Sequence, residues 1–132
     1  MKVFVAIKAL RGQAERMSTA EAVRQVTQES GHEVFLASWE IEQRGISDPR
    51  QFMALVREQI RYSGLMIVLY NAELRGRLIE EGIAYADGVP IWLAHRRGER
   101  VSSSVLGCAE SVVEYSDLQE LAQQLRLRLR AV

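Results

Sequence analysis

Two adjacent glutamates, Glu80 and Glu81, begin a helical segment that follows a buried strand and a short loop. The apolar runs on either side of this helix, Leu65 to Tyr70 and Val89 to Ala94, are typical of strands buried on both faces. We therefore predict one βαβ unit. Ligands of open α/β sheets bind beyond the carboxyl ends of the strands, so the loop and the first helical turns are where chemistry is expected.

Helix geometry predicts different surroundings for the two glutamates. The side predicted to face the core carries Ile79, Ile83 and Ala86. Glu80 then lies about 100° further round the helix, at the edge of the crevice, while Glu81 lies toward solvent with Tyr85. A carboxylate at that edge can attack an electrophilic carbon, as glycosidase carboxylates do. The alternative, which spacing alone favours, is a solvated pair that complements the helix dipole.

The strands that must hold this unit recur along the whole chain. Apolar, β-branched segments are found at Lys2 to Ile7, His32 to Ala37, Leu65 to Tyr70, Val89 to Ala94 and Ser111 to Tyr115. Because helical segments alternate with them, they predict a mostly parallel, five-stranded sheet with helices on both faces. We expect a single doubly wound α/β domain over residues 1–132, flavodoxin-like or Rossmann-like.

Several helix boundaries are marked by local signals. Ser18-Thr-Ala-Glu21 matches a capping box, and Asp48-Pro49 is a good helix start with Asp as the cap. The stretch Ser38 to Ile46 is rich in charge and is predicted to be a loop. Val101 to Leu106 is compatible with a short helix or a loop, and Ser116 to Gln119 is predicted to cap the last helix.

Composition narrows the range of functions. Seventeen basic residues balance 17 acidic ones, so we expect neither nucleic acid nor a membrane as partner, although a small anionic ligand stays possible. One cysteine and two histidines argue against a disulfide framework and a zinc site. Neither a signal peptide nor a membrane span is recognisable, and we expect a cytoplasmic protein.

The loops after the strands carry residues suited to an anion. Arg11 and Gly12 follow the first strand, Gly76 precedes the helix of the glutamates, and Ser103 lies in a serine-rich stretch after the fourth strand. Glycine lets the backbone approach a ligand, and arginine favours phosphate or carboxylate. A nucleotide-sized anionic ligand is the natural hypothesis, although the layout also fits receiver-like domains.

Three motifs resemble those of one family, the nucleoside 2-deoxyribosyltransferase-like group, and within it the 2'-deoxynucleoside 5'-phosphate N-hydrolases. The segment Glu80-Glu-Gly-Ile-Ala84 resembles the family's Glu-x-Gly-x-Ala pattern. Leu10 to Arg16 resembles an Ile-Arg-Gly-Gly loop, and Arg100 to Ser103 resembles an Arg-Val-x-Ser segment. The motifs occur in the family's order and span nearly the whole chain.

The resemblance implies a function. Glu80 would be the nucleophile of an N-glycosidase or N-deoxyribosyltransferase that cleaves the base–sugar bond of a nucleoside or nucleoside 5'-monophosphate, without a cofactor. It also implies that Arg11, Gly12 and Gly76 hold the phosphate together with Ser103 from a second subunit, and hence a homodimer. Glu40 or a water molecule would assist the departing base.

Two departures from the family pattern favour an alternative. Ser63-Gly64 stands where the family carries an Asp before strand three, and Ile7-Lys8-Ala9 replaces a Gly-containing loop. They favour a non-catalytic nucleotide-binding or interaction domain that kept the fold.

Overall fold

The structure is a computed structural model that describes residues 1–7, 14–70 and 77–132, and the side chains of residues 77 and 78 are left out. The strands in these ranges are β1 (Lys2–Ala6), β2 (Glu33–Leu36), β3 (Leu65–Leu69), β4 (Ile91–Arg96) and β5 (Ser111–Tyr115). The helices are α1 (Ala14–Glu29), α2 (Ala37–Arg44), α3 (Pro49–Arg61), α4 (Arg77–Ala86), α5 (Ser103–Cys108) and α6 (Leu118–Leu129).

The five strands form one parallel sheet in the order β2-β1-β3-β4-β5. From β1 the chain moves to one side to form β2 and then to the other side to form β3. The point between β1 and β3 is therefore the topological switch, where open α/β sheets bind ligands. All five predicted strands are present, and the predicted fold class is confirmed.

Helices cover both faces of the sheet, each over its own hydrophobic core. On one face, Val23 of α1 and Leu125 of α6 pack with inward residues of β1, β3 and β5. On the other face, Val56 of α3, Ala84 of α4 and Val105 of α5 pack with residues of β1, β2, β3 and β4. Every residue of β3 is buried, which explains its uninterrupted apolar sequence.

Two predicted helix starts are confirmed. The Asp48 carboxylate accepts a hydrogen bond from the Arg50 N–H at 3.1 Å, with Pro49 as the first helical residue. At α6 the cap is Asp117, which accepts from the Glu120 N–H at 2.8 Å. The Glu120 carboxylate in turn accepts from the Ser116 N–H at 2.6 Å, so two otherwise unpaired donors at this helix end are satisfied.

The predicted capping box at Ser18 is wrong. The helix α1 already begins at Ala14, so Ser18 and Glu21 lie inside it. The Glu21 carboxylate pairs along the helix with Arg24 instead of turning back to a cap. A Ser-x-x-Glu spacing equals one helical turn, and it therefore also occurs where a helix simply continues.

The predicted loop at Ser38 to Ile46 is also wrong, because most of it forms α2. The charges that suggested a loop lie one turn apart, and Arg44 Nε lies 3.3 Å from Glu40 Oε2. Ala37 is buried and Ile41 packs against the same core, so the segment is a short amphipathic helix. It ends at Gly45, whose φ of 66° suits glycine. No helix within the described residues is long and apolar enough to cross a membrane.

Candidate active site

A cavity of about 220 Å³ opens at the carboxyl edge of the sheet, over the switch between β1 and β3. Its lining comes from the ends of four strands and from the first turns of α1: Ile7, Glu15, Arg16, Thr19, Leu69, Tyr70, Arg96, Glu99 and Tyr115. This is the edge at which the sequence predicted ligand chemistry. The described structure therefore has a concave pocket at the place in the fold where a ligand is expected.

The floor and the sides of the cavity differ in polarity. Ile7 and Leu69 are buried apolar residues at the ends of β1 and β3, and they form the floor. Tyr70, directly after β3, and Tyr115, at the end of β5, also line the cavity. Burial raises the pKa of the Tyr115 phenol, so this ring stays uncharged at neutral pH. A flat molecule with an apolar face fits such a floor.

The polar wall is organised by Arg96. Its Nη2 lies 2.7 Å from Glu15 Oε1, and its Nη1 donates a hydrogen bond to the Ser116 carbonyl at 3.0 Å. The guanidinium carbon lies 5.3 Å from the centroid of the Tyr115 ring. These contacts tie the end of β4 to α1 and to the end of β5, and they fix the direction of the guanidinium.

Glu99, in the turn after β4, is the least satisfied group of this wall. Its Oε1 is shielded from water and has no hydrogen-bond partner within the part of the chain that the structure describes. Burial raises the pKa of the Glu99 carboxyl, and this effect is opposed by the charges of His95 and Arg96. Sequence reasoning missed Glu99 as a site residue. The sequence feature that could have identified it is its position in the turn after a buried strand, at the carboxyl edge of the sheet.

Glu80 lies in the first turn of α4 and is partly exposed. Because α4 follows β3 after a short connection, Glu80 is at the same edge of the sheet as the cavity. It is not among the described residues that line the cavity. An acidic residue in a first helical turn also interacts favourably with the helix dipole.

The predicted orientation of α4 is wrong by about one residue. Glu81, expected in solvent, is only 4% exposed, whereas Ile79, expected in the core, is 56% exposed. Ala84 is the buried apolar residue of the inward face, one turn after Glu81. On this face Ala84 packs in one core with Val105 of α5, and the Cys108 side chain of the same helix lies beside the Glu81 carboxyl.

Burial gives Glu81 unusual titration behaviour. Desolvation raises its pKa from 4.5 to about 7, and the hydrogen bond from Cys108 opposes the rise only in part. The same surroundings raise the pKa of the Cys108 thiol. The second carboxyl oxygen of Glu81, Oε2, has no hydrogen-bond partner among the described residues. Glu81 is thus a structural residue between α4 and α5, and the two neighbouring glutamates are clearly not equivalent.

Only one of the four residues predicted to contact the phosphate lies among the described residues. Arg11, Gly12 and Gly76 lie outside the described residues. Ser103 is the first residue of α5 and is exposed, away from the lining of the cavity. Glu40, the suggested acid, is paired with Arg44 on α2.

Gly64, where the family pattern has Asp, lies at the amino edge of the sheet. Its N–H donates to the Lys2 carbonyl at 2.9 Å, and a Cβ added there would meet Met1 Sδ at 2.9 Å. The strand β3 spans five residues, or roughly 16 Å, between Gly64 and the cavity. A side chain at position 64 is therefore remote from the site, and this departure gives no support to a loss of activity.

Within the described ranges there is no group of three or more His, Cys, Asp or Glu side chains placed to hold a metal ion.

Comparisons with known proteins identify solved structures that have the same fold. Neither a protein-family model nor a curated protein matches the sequence. Solved structures do match. The CMP N-glycosidase BcmB of Clostridium botulinum is 22% identical, with a TM-score of 0.79 over 97% of this chain and 99% of that one. The 2-deoxyribosyltransferase of Bacillus psychrosaccharolyticus is 18% identical, with a TM-score of 0.76 over 98% and 96%.

A third structure, BlsM, is 20% identical, with a TM-score of 0.76 over 98% of this chain and 90% of that one. At these identities the likeness establishes the fold. That fold, a five-stranded parallel α/β sheet, is shared with an N-glycosidase and a deoxyribosyltransferase. It agrees with the nucleoside 2-deoxyribosyltransferase-like group to which the motifs pointed.

Proposed function

We propose that the protein cleaves the base–sugar bond of a nucleoside or nucleoside 5'-monophosphate, as an N-glycosidase or an N-deoxyribosyltransferase. The observation that carries the proposal is the position of Glu80, in the first turn of α4 at the edge that carries the switch-point cavity. It is supported by a fold shared with a CMP N-glycosidase and a 2-deoxyribosyltransferase. The Glu-x-Gly-x-Ala motif selects the same residue.

The reaction has two steps. The Glu80 carboxylate attacks the anomeric carbon, the carbon–nitrogen bond breaks, and its electron pair leaves with the base. The resulting ester between the sugar and Glu80 is then attacked by water, or by a second base in a transfer reaction, and the carboxylate is restored. Two displacements at one carbon retain its configuration.

The proposal also includes a binding site for the 5'-phosphate of the substrate. Arg11, Gly12 and Gly76 would hold the 5'-phosphate, together with Ser103 of the partner subunit. Three large apolar side chains of α4 and α5 are exposed to solvent, and a second copy in a homodimer would cover them. Their exposed fractions are 56% for Ile79, 61% for Tyr85 and 41% for Leu106. A cytoplasmic location, where nucleotides are abundant, is part of the same proposal.

The matched variants Glu80→Gln and Glu81→Gln test the nucleophile. Purified protein is incubated with a panel of ribo- and deoxyribonucleotides, and free base is measured by chromatography. We expect release from at least one nucleotide, a loss on the order of a thousandfold or more in E80Q, and retained activity in E81Q. Equal activity in wild type and E80Q would contradict the assignment.

A second function is favoured by one observation, namely that the cavity is formed by described residues that do not include Glu80. A non-catalytic nucleotide-binding domain would use this cavity alone. Saturable nucleotide binding by calorimetry, with no base released and no effect of E80Q on affinity, would support it. Release of base that depends on Glu80 excludes it.

A further inference from the structure

The cavity holds one carboxyl group whose bonding is incomplete. Glu15 is paired with Arg96 at 2.7 Å, whereas Glu99 has a shielded oxygen without a hydrogen-bond partner among residues 1–7, 14–70 and 77–132. Buried polar atoms are almost always hydrogen-bonded, and an exception at the wall of a cavity calls for an explanation. The terminal torsion of a glutamate is soft, so the Glu99 carboxyl can turn toward a molecule that enters the cavity.

The charges of the cavity disfavour phosphate as its occupant. Arg96 is already bound to Glu15, to the Ser116 carbonyl and to the Tyr115 ring, and Arg16 is likewise engaged. A dianion would have to compete with the Glu15 carboxylate for the Arg96 guanidinium. An uncharged flat heterocycle is more suitable, because it can lie on the apolar floor beside the tyrosine rings and offer nitrogen or oxygen atoms to the wall.

We propose that the base of the nucleotide occupies this cavity and that Glu99 is the general acid that protonates the base as it leaves. This inference rests on the proposed function, and it supplies the acid that the two-step reaction needs. Glu40 is the poorer candidate, since it is an α2 residue paired with Arg44.

The proton balance of the reaction is complete. As the Glu80 oxygen forms its bond to the anomeric carbon, the carbon–nitrogen bond breaks and the Glu99 O–H passes its proton to a ring atom of the base. In the second step the attacking water gives a proton back to the Glu99 carboxylate, and the ester to Glu80 breaks. One water molecule is consumed, and both carboxyl groups return to their starting states.

The surroundings of Glu99 suit an acid. Burial favours its neutral, proton-carrying form, and the groups that act against this are His95 and Arg96 of β4. The other ionisable groups that line the cavity are Glu15 and Arg16 of α1, Tyr70 after β3 and Tyr115 of β5. Of these, the Glu15 carboxylate is compensated by Arg96, and Tyr115 stays neutral because burial raises its pKa.

The test compares two leaving groups on the same sugar phosphate. A natural base needs a proton to depart, whereas nitrophenolate departs without one. In Glu99→Gln, release of the natural base should fall about a hundredfold or more, while release of nitrophenolate stays close to wild type. The matched control is Glu15→Gln, which lines the same cavity and should change both rates by the same factor. Circular dichroism and thermal melting confirm that each variant is folded.

Each result decides the proposal. Equal losses for both leaving groups in E99Q, or no loss for the natural base, would overturn the role of Glu99 while leaving Glu80 as nucleophile. If no substrate is turned over by wild type, the proposed function itself fails, and the inference falls with it. If the protein accepts only natural bases, the same comparison can be made with nucleotides whose bases differ in acidity. The rate of base release must then depend more steeply on the acidity of the base in E99Q than in wild type.

Discussion

Replacement of Glu81 by glutamine should change how the stability of the protein depends on pH. The folded protein holds the pKa of Glu81 at about 7, against 4.5 for an ordinary glutamate, because burial disfavours the charged carboxylate. A difference of about 2.5 pKa units corresponds to about 3 kcal/mol, at 1.36 kcal/mol per unit. This is a large part of the 5–15 kcal/mol typical of a domain.

The sign follows from proton binding. Between pH 4.5 and pH 7 the folded state keeps the Glu81 proton that the unfolded state has lost, so stability decreases as the pH rises. The contribution is fully present below about pH 4.5 and is lost once the pH exceeds 7. Glutamine cannot ionise, and E81Q should therefore lack this decrease.

The assay is urea unfolding at several pH values from 4.5 to 8.5, followed by circular dichroism. The free energy of unfolding of wild type relative to E81Q should fall by about 3 kcal/mol across this range. Glu110→Gln, at an exposed carboxylate, is the matched control and should follow wild type. Parallel pH curves for wild type and E81Q would refute the reasoning that Glu81 is buried and protonated.

Three further predictions test the cap, the amino edge and the phosphate site. Asp117→Ala removes the acceptor for the Glu120 N–H at the start of α6 and should cost about 1 kcal/mol in thermal or urea unfolding, and an unchanged stability would contradict the cap. Gly64→Ala should destabilise the fold slightly, because the new Cβ meets the flexible Met1 side chain. It should leave base release unchanged, and a specific loss of activity would contradict the remote position of residue 64. Ser103→Ala should raise KM for nucleotides on the order of tenfold but not KM for nucleosides, and equal effects on both would argue against a phosphate contact.

The fold was predictable because it depends on patterns that are local in sequence. β1, β3 and β4 are buried on both faces, so their apolar runs stand out from the helices between them. The start of α3 was marked by Asp48 and Pro49, whose effects are confined to one helical turn. Where the same local signal fits two structures, as at Ser18, the prediction failed.

The site was less predictable, because its properties arise from residues distant in sequence. Helical periodicity placed Ile79 inward, but the packing of Ala84 into the core that α4 shares with α5 decides which face of α4 is buried. The environment of Glu99 likewise depends on neighbours in α1 and β5, which only the folded sheet brings together. Glu80 was chosen by a sequence motif, and its role stays a prediction.

The most direct test of the account is the identity of the residue that carries the sugar during turnover. Wild-type protein is mixed with a nucleotide that it hydrolyses, quenched in acid within the first turnover, digested, and examined by mass spectrometry. We expect that the peptide containing Glu80 gains the mass of the sugar phosphate less one water, with fragmentation assigning it to Glu80 and no adduct in E80Q. Single-turnover release of base with no adduct, or with an adduct on Glu81 or elsewhere, would contradict it.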